Sequence, residues 1–235
     1  MIRQCIDSVL AQDYDDIEYI VVDGASTDGT LDIVKKYGPK VNTLISEKDK
    51  GLYDAMNKGI GAATGDVVGI LNSDDFFYDN QVLSKIARAF EQEPLDATIA
   101  DIVFIKRNTQ DKIIRTYSSK RWRLTKFAWG YMPPHPSIFI KRSVLNRIGP
   151  YKNEYQIGAD FELLIRCFTQ EGFRWKYLPM ITTKMYMGGK STSGFKSVFI
   201  IIKEQIKACR ENNIFTNHFM ICSKYLLKPF EFLRR

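Results

Sequence analysis

The sequence predicts an α/β fold in which a mostly parallel sheet is covered by helices on both faces. Three apolar segments, IEYIVV, NTLIS and GDVVGIL, alternate with helical segments in the first 96 residues. Strands that are apolar on both sides and alternate with helices are typical of parallel sheets buried between helical layers. A length of 235 residues with 45% hydrophobic content suffices for one domain with a full core.

Three strand-helix cycles account for the first half. The chain opens in a helix over 2–11, where apolar residues recur at helical spacing. IEYIVV leads through DGASTDG into the helix LDIVKKYG, and NTLIS leads through EKDKG into a helix over 53–63. GDVVGIL then leads through NSDDFFYDN into a third helix over 82–90.

From residue 97 the pattern changes to separate strand-like segments. ATIADIVFI, IIRTY and PSIFI are predicted strands, with the aromatic and basic stretch RWRLTKFAWGYMPPH between the second and third. A helix in GADFELLIRCF and a final strand in RWKYLPMITT follow. We expect a mixed sheet in this half, with room for a second substrate.

Composition narrows the partners and the compartment. A formal net charge of +7 suits an anionic partner: a nucleotide, a nucleic acid or an anionic lipid. The longest aliphatic runs have five or six residues, so we expect no transmembrane helix, and no signal peptide is evident. Four dispersed cysteines without a CxxC pair favour reduced core residues in a cytoplasmic protein over zinc ligands or disulfides.

Acidic residues follow two of the predicted strands. Asp23 ends IEYIVV, and Asp74 and Asp75 follow GDVVGIL. Ligands of α/β sheets bind outside the carboxyl ends of the strands, so these acids are expected in one cleft. Asp74 and Asp75 could bind Mg2+ or Mn2+ through oxygen, and the alternative is a helix cap or an Asx turn. Phe76 and Phe77 would desolvate the acids, which favours a cation.

Three other nucleotide or phosphate classes lack their required residues. DGTL also occurs in the phosphatase signature of the haloacid dehalogenase class, but Ser26 stands where that class needs its aspartate nucleophile. No GxGxxG motif follows a strand, and no Walker lysine motif is present. The sequence therefore favours neither a dinucleotide-binding nor a P-loop protein.

Four motifs together resemble the family 2 glycosyltransferases of the bacterial polysaccharide type, whose fold is GT-A. They are VVDGASTDGT, SEKDKGLYDAMNKGIGAATGD, GILNSDDFF and GADFELLIR, in this order and at these spacings. The resemblance covers roughly residues 1–195. It implies a Rossmann-like nucleotide-binding half over about 1–96, a mixed acceptor half over about 97–195 and a C-terminal helical extension over 196–235.

The resemblance implies an activity as well as a fold. The chain is expected to be a metal-dependent inverting glycosyltransferase. The sugar would move from a nucleotide-sugar donor, with a UDP-sugar favoured, to a hydroxyl of a saccharide or lipid-linked saccharide acceptor. The expected setting is bacterial cell-surface polysaccharide biosynthesis. The alternatives are a nucleotidyltransferase and a non-catalytic nucleotide-sugar-binding module, and nucleic acid is not an expected partner.

Nucleotide contacts are implied in the first two loops. Asp23 corresponds to the position at the nucleoside, although many relatives carry two adjacent acids where this chain has Asp23 and Gly24. Asp49, Lys50 and Asp54 correspond to the second nucleotide-contacting loop. The alternative for that loop is a solvated charged turn with a helix cap.

The metal and the base are implied further along the chain. In Asn72-Ser73-Asp74-Asp75 the resemblance makes Asp75 the ligand of an Mn2+ or Mg2+ ion bridging the two phosphates. Asp74 would face the ribose or support the site, and Asn72 would lie by the nucleotide. Asp160 corresponds to the general base, with a helix cap as the alternative.

Four further features are less specific. Glu162 lies two positions after Asp160 on a helix, so only one of the two can face the cleft. His135 resembles a position lining the active site, with a structural role as the alternative. Trp129 could stack on a sugar ring or pack in the core. Residues 188–191, GGKS, resemble a mobile segment near the site.

Both ends of the chain carry further predictions. Relatives have a strand before the helix that opens this chain, so we expect the family's first strand to be missing. In the extension, one helical face is predicted to hold Phe195, Val198, Phe199, Ile202, Ile206 and Cys209. Basic residues border that face, a pattern that fits peripheral contact with an anionic membrane on the inner face of the cell membrane. The alternative is a helix packed on the domain.

Overall fold

The computed structural model describes residues 1–106, 112–188 and 194–231. Its helices are α1 (Ile2–Leu10), α2 (Thr30–Lys35), α3 (Leu52–Ala62), α4 (Val82–Gln92), α5 (Arg142–Ile148), α6 (Ala159–Phe168), α7 (Phe195–Glu211) and α8 (His218–Glu231). Its strands are β1 (Ile20–Asp23), β2 (Thr43–Ser46), β3 (Val67–Gly69), β4 (Phe76–Phe77), β5 (Ala97–Ile105), β6 (Ile113–Tyr117), β7 (Phe139–Lys141) and β8 (Trp175–Tyr186).

The strands form two hydrogen-bonded sheets. β1 and β2 pair in parallel, so that Asp23 lies beside Ser46 at their carboxyl ends. The larger sheet has the order β3-β7-β5-β8-β4, and β6 pairs with the last residues of β5, from Ile102 to Ile105. In the larger sheet β5 and β8 are parallel, and the other pairs are antiparallel.

The predicted α/β class with flanking helices is confirmed, but the pairing is more antiparallel than the sequence indicated. β3 pairs with β7 of the predicted acceptor half and has no pairing with β1 or β2 among the described residues. The two predicted halves therefore share one sheet. Alternation of strands and helices does not fix which strands become neighbours, because that depends on contacts between distant segments.

A glycine permits close contact between β3 and the side chain of its neighbour β7. A Cβ at Gly69 would lie 2.2 Å from the ring of Phe139, its register partner in β7. The ring therefore rests directly on the β3 backbone, and any side chain at position 69 would displace it.

The main core lies between the larger sheet, α6 and α7. Leu163, Leu164 and Ile165 are buried along α6, and Cys209 of α7 joins the same cluster. Trp122 packs edge-on against several rings of this core. Most of the aromatic stretch before His135 therefore serves packing.

The C-terminal helices pack on the domain, which is the alternative that the sequence left open. Ile206, Cys209 and Ile221 are buried, whereas Phe199 is 70% exposed. Phe199 lies seven positions before Ile206 and therefore on nearly the same side of α7, at the border of the face that the domain covers. The buried face is rotated relative to the predicted apolar face. It also contains the polar residues Glu204 and Gln205, which bind backbone groups of the domain.

Candidate functional site

The loop after β1 is built around the carboxylate of Asp23. One oxygen accepts hydrogen bonds from the backbone N–H of Ser26 at 3.1 Å and the Ser46 hydroxyl at 2.9 Å. Burial alone would raise the pKa of Asp23, but these hydrogen bonds outweigh it and hold the pKa below its ordinary value. Ala25 adopts a left-handed backbone with φ of 61°, a strained conformation often found at functional loops. Asp23 is thus held ionised at the predicted nucleoside position.

Gly24 brings the loops after β1 and β2 together. A Cβ on Gly24 would lie 2.2 Å from Oδ2 of Asp49, so the carboxylate rests against the bare backbone. The other oxygen of Asp49 accepts a hydrogen bond from the N–H of Gly51 at 2.9 Å. The structure therefore places Asp23 and Asp49 in adjoining loops.

Asp54 stabilises the turn that begins α3. Its carboxylate accepts the backbone N–H of Lys50 at 3.0 Å, and that hydrogen bond is the main reason why its pKa is lowered. Lys58 and Asn153 also contact it, at 3.7 and 3.5 Å. These contacts fit the structural alternative raised from the sequence, a charged turn before a helix. A nucleotide contact by Asp54 or by the exposed Lys50 stays a prediction.

Asp75 is a buried carboxylate at the start of β4. It is 1% exposed, and one of its oxygens accepts a hydrogen bond from the Asn72 amide at 3.1 Å. Burial and the neighbouring charge of Asp74 raise the pKa of Asp75 to about 7. A buried acid of this kind is ionised most readily when a cation lies against it.

The acids after β3 fit a divalent cation that is shared with a phosphate ligand. Mg2+ is usually held by one or two carboxylates together with substrate phosphates and water. Asp74 and Asp75 supply two hard oxygen donors, and a bound cation would relieve the desolvation of Asp75. In the described residues no cluster of three or more His, Cys, Asp or Glu side chains is placed to hold a metal. A phosphate-bearing ligand would have to complete the coordination.

Asp160 lies in the first turn of α6 and is surrounded by aromatic residues. Burial raises its pKa to about 6, against hydrogen bonds from backbone N–H groups, including that of Phe161 at 2.7 Å. Tyr53 and Tyr151 stack on each other with ring centroids 5.5 Å apart, and both lie close enough for the charge of Asp160 to affect their titration. A carboxylate with a pKa near neutrality is suited to general base chemistry.

Glu162 has a different environment from Asp160, as the helical spacing predicted. It is fully buried between Lys152 at 2.9 Å and Arg166 at 2.8 Å. Arg166 also donates to the carbonyls of Ile148 and Pro150. Glu162 therefore ties α6 to the end of α5.

His135 lies among core residues. Its Nε2 is 2.8 Å from the Tyr151 hydroxyl, and it lines an apolar cavity of about 20 Å³ with Ile70 and Leu164. Burial lowers the pKa of His135 to about 4, so it is neutral at physiological pH. Its contact with Tyr151 links it to the Asp160 region, and a direct role towards the acceptor stays a prediction.

Trp129 ends a short 3₁₀ turn and is 39% exposed, which leaves its ring accessible. Stacking on a sugar stays a prediction. Of the predicted GGKS segment, residues 189–191 lie outside the described residues.

The contacts define two groups of predicted residues. Asp23, Asp49 and Asp54 lie in adjoining loops, and Tyr53 connects α3 to Asp160. Asn72, Asp74 and Asp75 form the second group, packed against Cys5 of α1.

Sequence reasoning missed three residues around Asp160. Tyr53 and Tyr151 are helix and loop residues without a motif of their own. Glu204 lies on a helix that seemed amphipathic. The available signal was an acidic residue, Glu204, within the apolar sequence of α7. Because a carboxylate is rarely buried without a partner, an acid in such a sequence indicates a binding partner elsewhere in the chain.

The mixed α/β fold with flanking helices matches that of GT-A glycosyltransferases. Two solved structures share the fold. TarS of S. aureus in complex with UDP-GlcNAc matches with a TM-score of 0.69 at 18% identity, over 94% of this chain and 67% of that one. The mannosyltransferase PcManGT of Pyrobaculum calidifontis, in complex with GDP-Man and Mn2+, matches with a TM-score of 0.65 at 19% identity, over 99% and 68%. A longer TarS chain is covered over 37% of its length.

The chain belongs to glycosyl transferase family 2, whose sequence profile matches residues 1–149. A PGL/p-HBAD biosynthesis glycosyltransferase of Mycobacterium tuberculosis is 31% identical over 219 residues, 86% of this chain and 76% of the relative. An uncharacterized glycosyltransferase of the same organism is 32% identical over 167 residues, 70% and 63% of the two chains. The expected family and fold are confirmed, and the nucleotidyltransferase and binding-module alternatives are not favoured.

Proposed function

We propose that this glycosyltransferase moves a sugar from a nucleotide-sugar, with a UDP-sugar favoured, to an acceptor hydroxyl with inversion. The observation that carries the proposal is Asp160, a desolvated carboxylate at a helix N-terminus with its pKa raised to about 6. UDP-GlcNAc and GDP-Man, the ligands in the TarS and PcManGT structures, support a nucleotide-sugar donor.

In this proposal the donor lies along the loops after β1, β2 and β3. Asp23 and Asp49 contact the nucleoside, helped by Lys50 and Asn72. Asp23 is fixed by Ser26 and Ser46 before any ligand arrives, so little order has to be gained on binding.

Asp74 and Asp75 would hold an Mn2+ or Mg2+ ion at the diphosphate. A bound ion would neutralise the charge that develops on the leaving nucleoside diphosphate. Support comes from the burial of Asp75 and from the Mn2+ in the PcManGT complex.

Asp160 accepts the proton of the acceptor hydroxyl as its oxygen attacks the anomeric carbon. Attack opposite the leaving group inverts that carbon and needs no covalent enzyme intermediate. Trp129 and His135 are the acceptor-side residues in this arrangement. The acceptor would be a saccharide or lipid-linked saccharide of bacterial cell-surface polysaccharide biosynthesis, and the PGL/p-HBAD biosynthesis relative supports a biosynthetic role for the transfer.

The variant Asp160→Asn tests whether Asp160 is the general base that takes the proton of the acceptor hydroxyl. Turnover with UDP-GlcNAc or GDP-Man and a set of saccharide acceptors should fall by about 100-fold or more, since general base catalysis contributes roughly 10²–10⁴-fold. Donor binding, measured by thermal shift with Mn2+, should persist. Asp32→Asn, in the exposed first turn of α2, is the matched control. Turnover of Asp160→Asn within tenfold of the parent would refute the proposed base.

We also propose that α7 holds the protein on the inner, cytoplasmic face of the cell membrane. Its outward face carries Phe199 with Lys196, Lys203 and Arg210, a combination that suits an anionic lipid surface. No helix in the described parts of the chain is long and apolar enough to span a bilayer.

Vesicle sedimentation tests this peripheral contact. Phe199→Ser with Lys203→Glu should weaken binding to vesicles containing phosphatidylglycerol. Phe199→Ser with Lys35→Glu, which makes the same charge change at the end of α2, should weaken it less. Equal binding of the two double variants would show that net charge alone governs the contact.

A further inference from the structure

The carboxylate of Glu204 on α7 binds the backbone segment that leads into α6. One oxygen accepts the N–H of Gln156 at 2.7 Å, and the other accepts those of Ile157 and Gly158 at 3.0 and 2.8 Å. Glu204 is buried. Converging backbone N–H groups form an anion-binding concavity, and here the chain's own carboxylate fills it.

The same segment is held from the opposite side. The Tyr53 hydroxyl donates a hydrogen bond to the carbonyl of Ile157. A Cβ on Gly158 would lie 3.2 Å from the Cβ of Glu204, so the two elements already fit closely. The carbonyl of Gly158 then accepts the Glu162 N–H at 3.1 Å, in the first turn of α6. The backbone is therefore fixed up to two residues before Asp160.

We infer that Glu204 is a positioning residue for acceptor activation: it holds residues 156–158 and so sets where the Asp160 carboxylate meets the acceptor hydroxyl. This inference rests on the proposed role of Asp160. It gives the C-terminal helix α7 a function in the reaction that is separate from membrane contact.

Electrostatics gives the arrangement a second consequence. Tyr53 from α3, Tyr151 from the segment after α5 and Glu204 from α7 face Asp160. After burial, the negative charge of Glu204 is the contribution that raises the pKa of Asp160. Neutralising Glu204 should therefore make Asp160 a weaker base.

Glu204→Gln can be compared with a control on the same helix. Glu211 also ties α7 to the domain, through Lys152 at 2.8 Å and the Tyr155 hydroxyl at 2.9 Å, but it does not touch residues 156–158. Glu211→Gln therefore loosens α7 while leaving the hydrogen bonds from residues 156–158 to Glu204 in place.

Two measurements that need no turnover decide the inference. Carbon-13 NMR titration of the Asp160 carboxyl should show a lower pKa in Glu204→Gln and a parent-like pKa in Glu211→Gln. Amide hydrogen exchange of residues 156–158 should speed up at least tenfold in Glu204→Gln alone. If Glu204→Gln does not fold, Glu204→Asp can replace it. This variant keeps the negative charge but shortens the side chain by one methylene group, so amide exchange of residues 156–158 should again speed up.

Kinetics then relates the effect to the reaction. In Glu204→Gln we expect kcat to fall about tenfold with donor KM unchanged, and the acidic limb of the pH profile to move to lower pH. Parent-like titration and exchange at Asp160 and residues 156–158 in the Glu204 variants would overturn the inference. Full turnover by Asp160→Asn would instead sink the proposed function, whatever the Glu204 variants do to the Asp160 titration.

Discussion

Replacing Gly24 with alanine tests whether the loops after β1 and β2 form one binding surface. The new Cβ would lie 2.2 Å from Oδ2 and 3.0 Å from Cγ of Asp49, both well inside contact distance. Gly24 itself lies outside the left-handed region, so backbone strain does not confuse the result. The carboxylate is the flexible partner, so Asp49 should rotate away and lose its hydrogen bond from Gly51.

The expected cost follows from that single hydrogen bond. A typical intramolecular hydrogen bond contributes about 1 kcal/mol net. For a chain of this size, about 1 kcal/mol shifts Tm by roughly 2–4 °C. If Asp49 contacts the donor, as proposed, nucleotide affinity should also fall about five- to tenfold.

A double-mutant cycle isolates the contact between Gly24 and Asp49. Tm and the dissociation constant for UDP with Mn2+ are measured for Gly24→Ala, Asp49→Ala and the double variant. In the Asp49→Ala background the added methyl group has no carboxylate to displace, so Gly24→Ala should be nearly neutral there. An equal cost of Gly24→Ala in both backgrounds would refute the reasoning.

Three further predictions concern the buried acids. Glu162→Gln should lower the free energy of unfolding by about 3 kcal/mol, because it leaves the largely buried Arg166 without its counter-charge, whereas Lys152 keeps Glu211; urea denaturation measures this, and a loss below about 1 kcal/mol would contradict it. The kcat/KM of the parent enzyme should decline below a pH of about 6 as Asp160 is protonated, and a flat profile from pH 5 to 8 would exclude that assignment. In metal-free buffer, Asp75 should destabilise the folded state as pH rises, because its folded pKa of about 7 exceeds the unfolded value of about 3.9. The folded state then binds more protons between about pH 4 and 7, and Asp75→Asn should flatten this fall in urea stability, whereas an unchanged slope would show that Asp75 is not its source.

Local patterns in the sequence predicted most of the elements and the loops that carry the site. ATIADIVFI coincides with β5 and the helix predicted over 53–63 nearly coincides with α3, because periodicity and turn residues act over short distances. Strand neighbours were less predictable. The pairing of β3 with β7 depends on how Gly69 and Phe139 fit, although they are far apart in the chain.

The face of α7 shows a second limit of pattern reasoning. Apolar spacing predicted one helical face through Phe199, Ile206 and Cys209, whereas the face that packs on the domain also contains Glu204 and Gln205. A polar side chain is stable in the core only when it can form hydrogen bonds there. Glu204 and Gln205 do so with the backbone of Gln156 and Gly130. Those groups belong to other parts of the chain, so the helical pattern alone could not indicate which face is buried.

The two carboxylates of α6 show how surroundings assign chemical roles. Asp160 and Glu162 begin the same helix and are of the same residue class, so sequence alone can only say that they point in different directions. Glu162 lies between two cations, Lys152 and Arg166, and forms structural ion pairs with both. Asp160 accepts hydrogen bonds from backbone N–H groups and lies near tyrosine rings and the negative charge of Glu204. Burial and the Glu204 charge raise its pKa to about 6, so it can accept a proton near neutral pH. A carboxylate that gains little from staying charged is the better proton acceptor, and this difference, rather than position in a motif, is the physical reason why Asp160 is the proposed base.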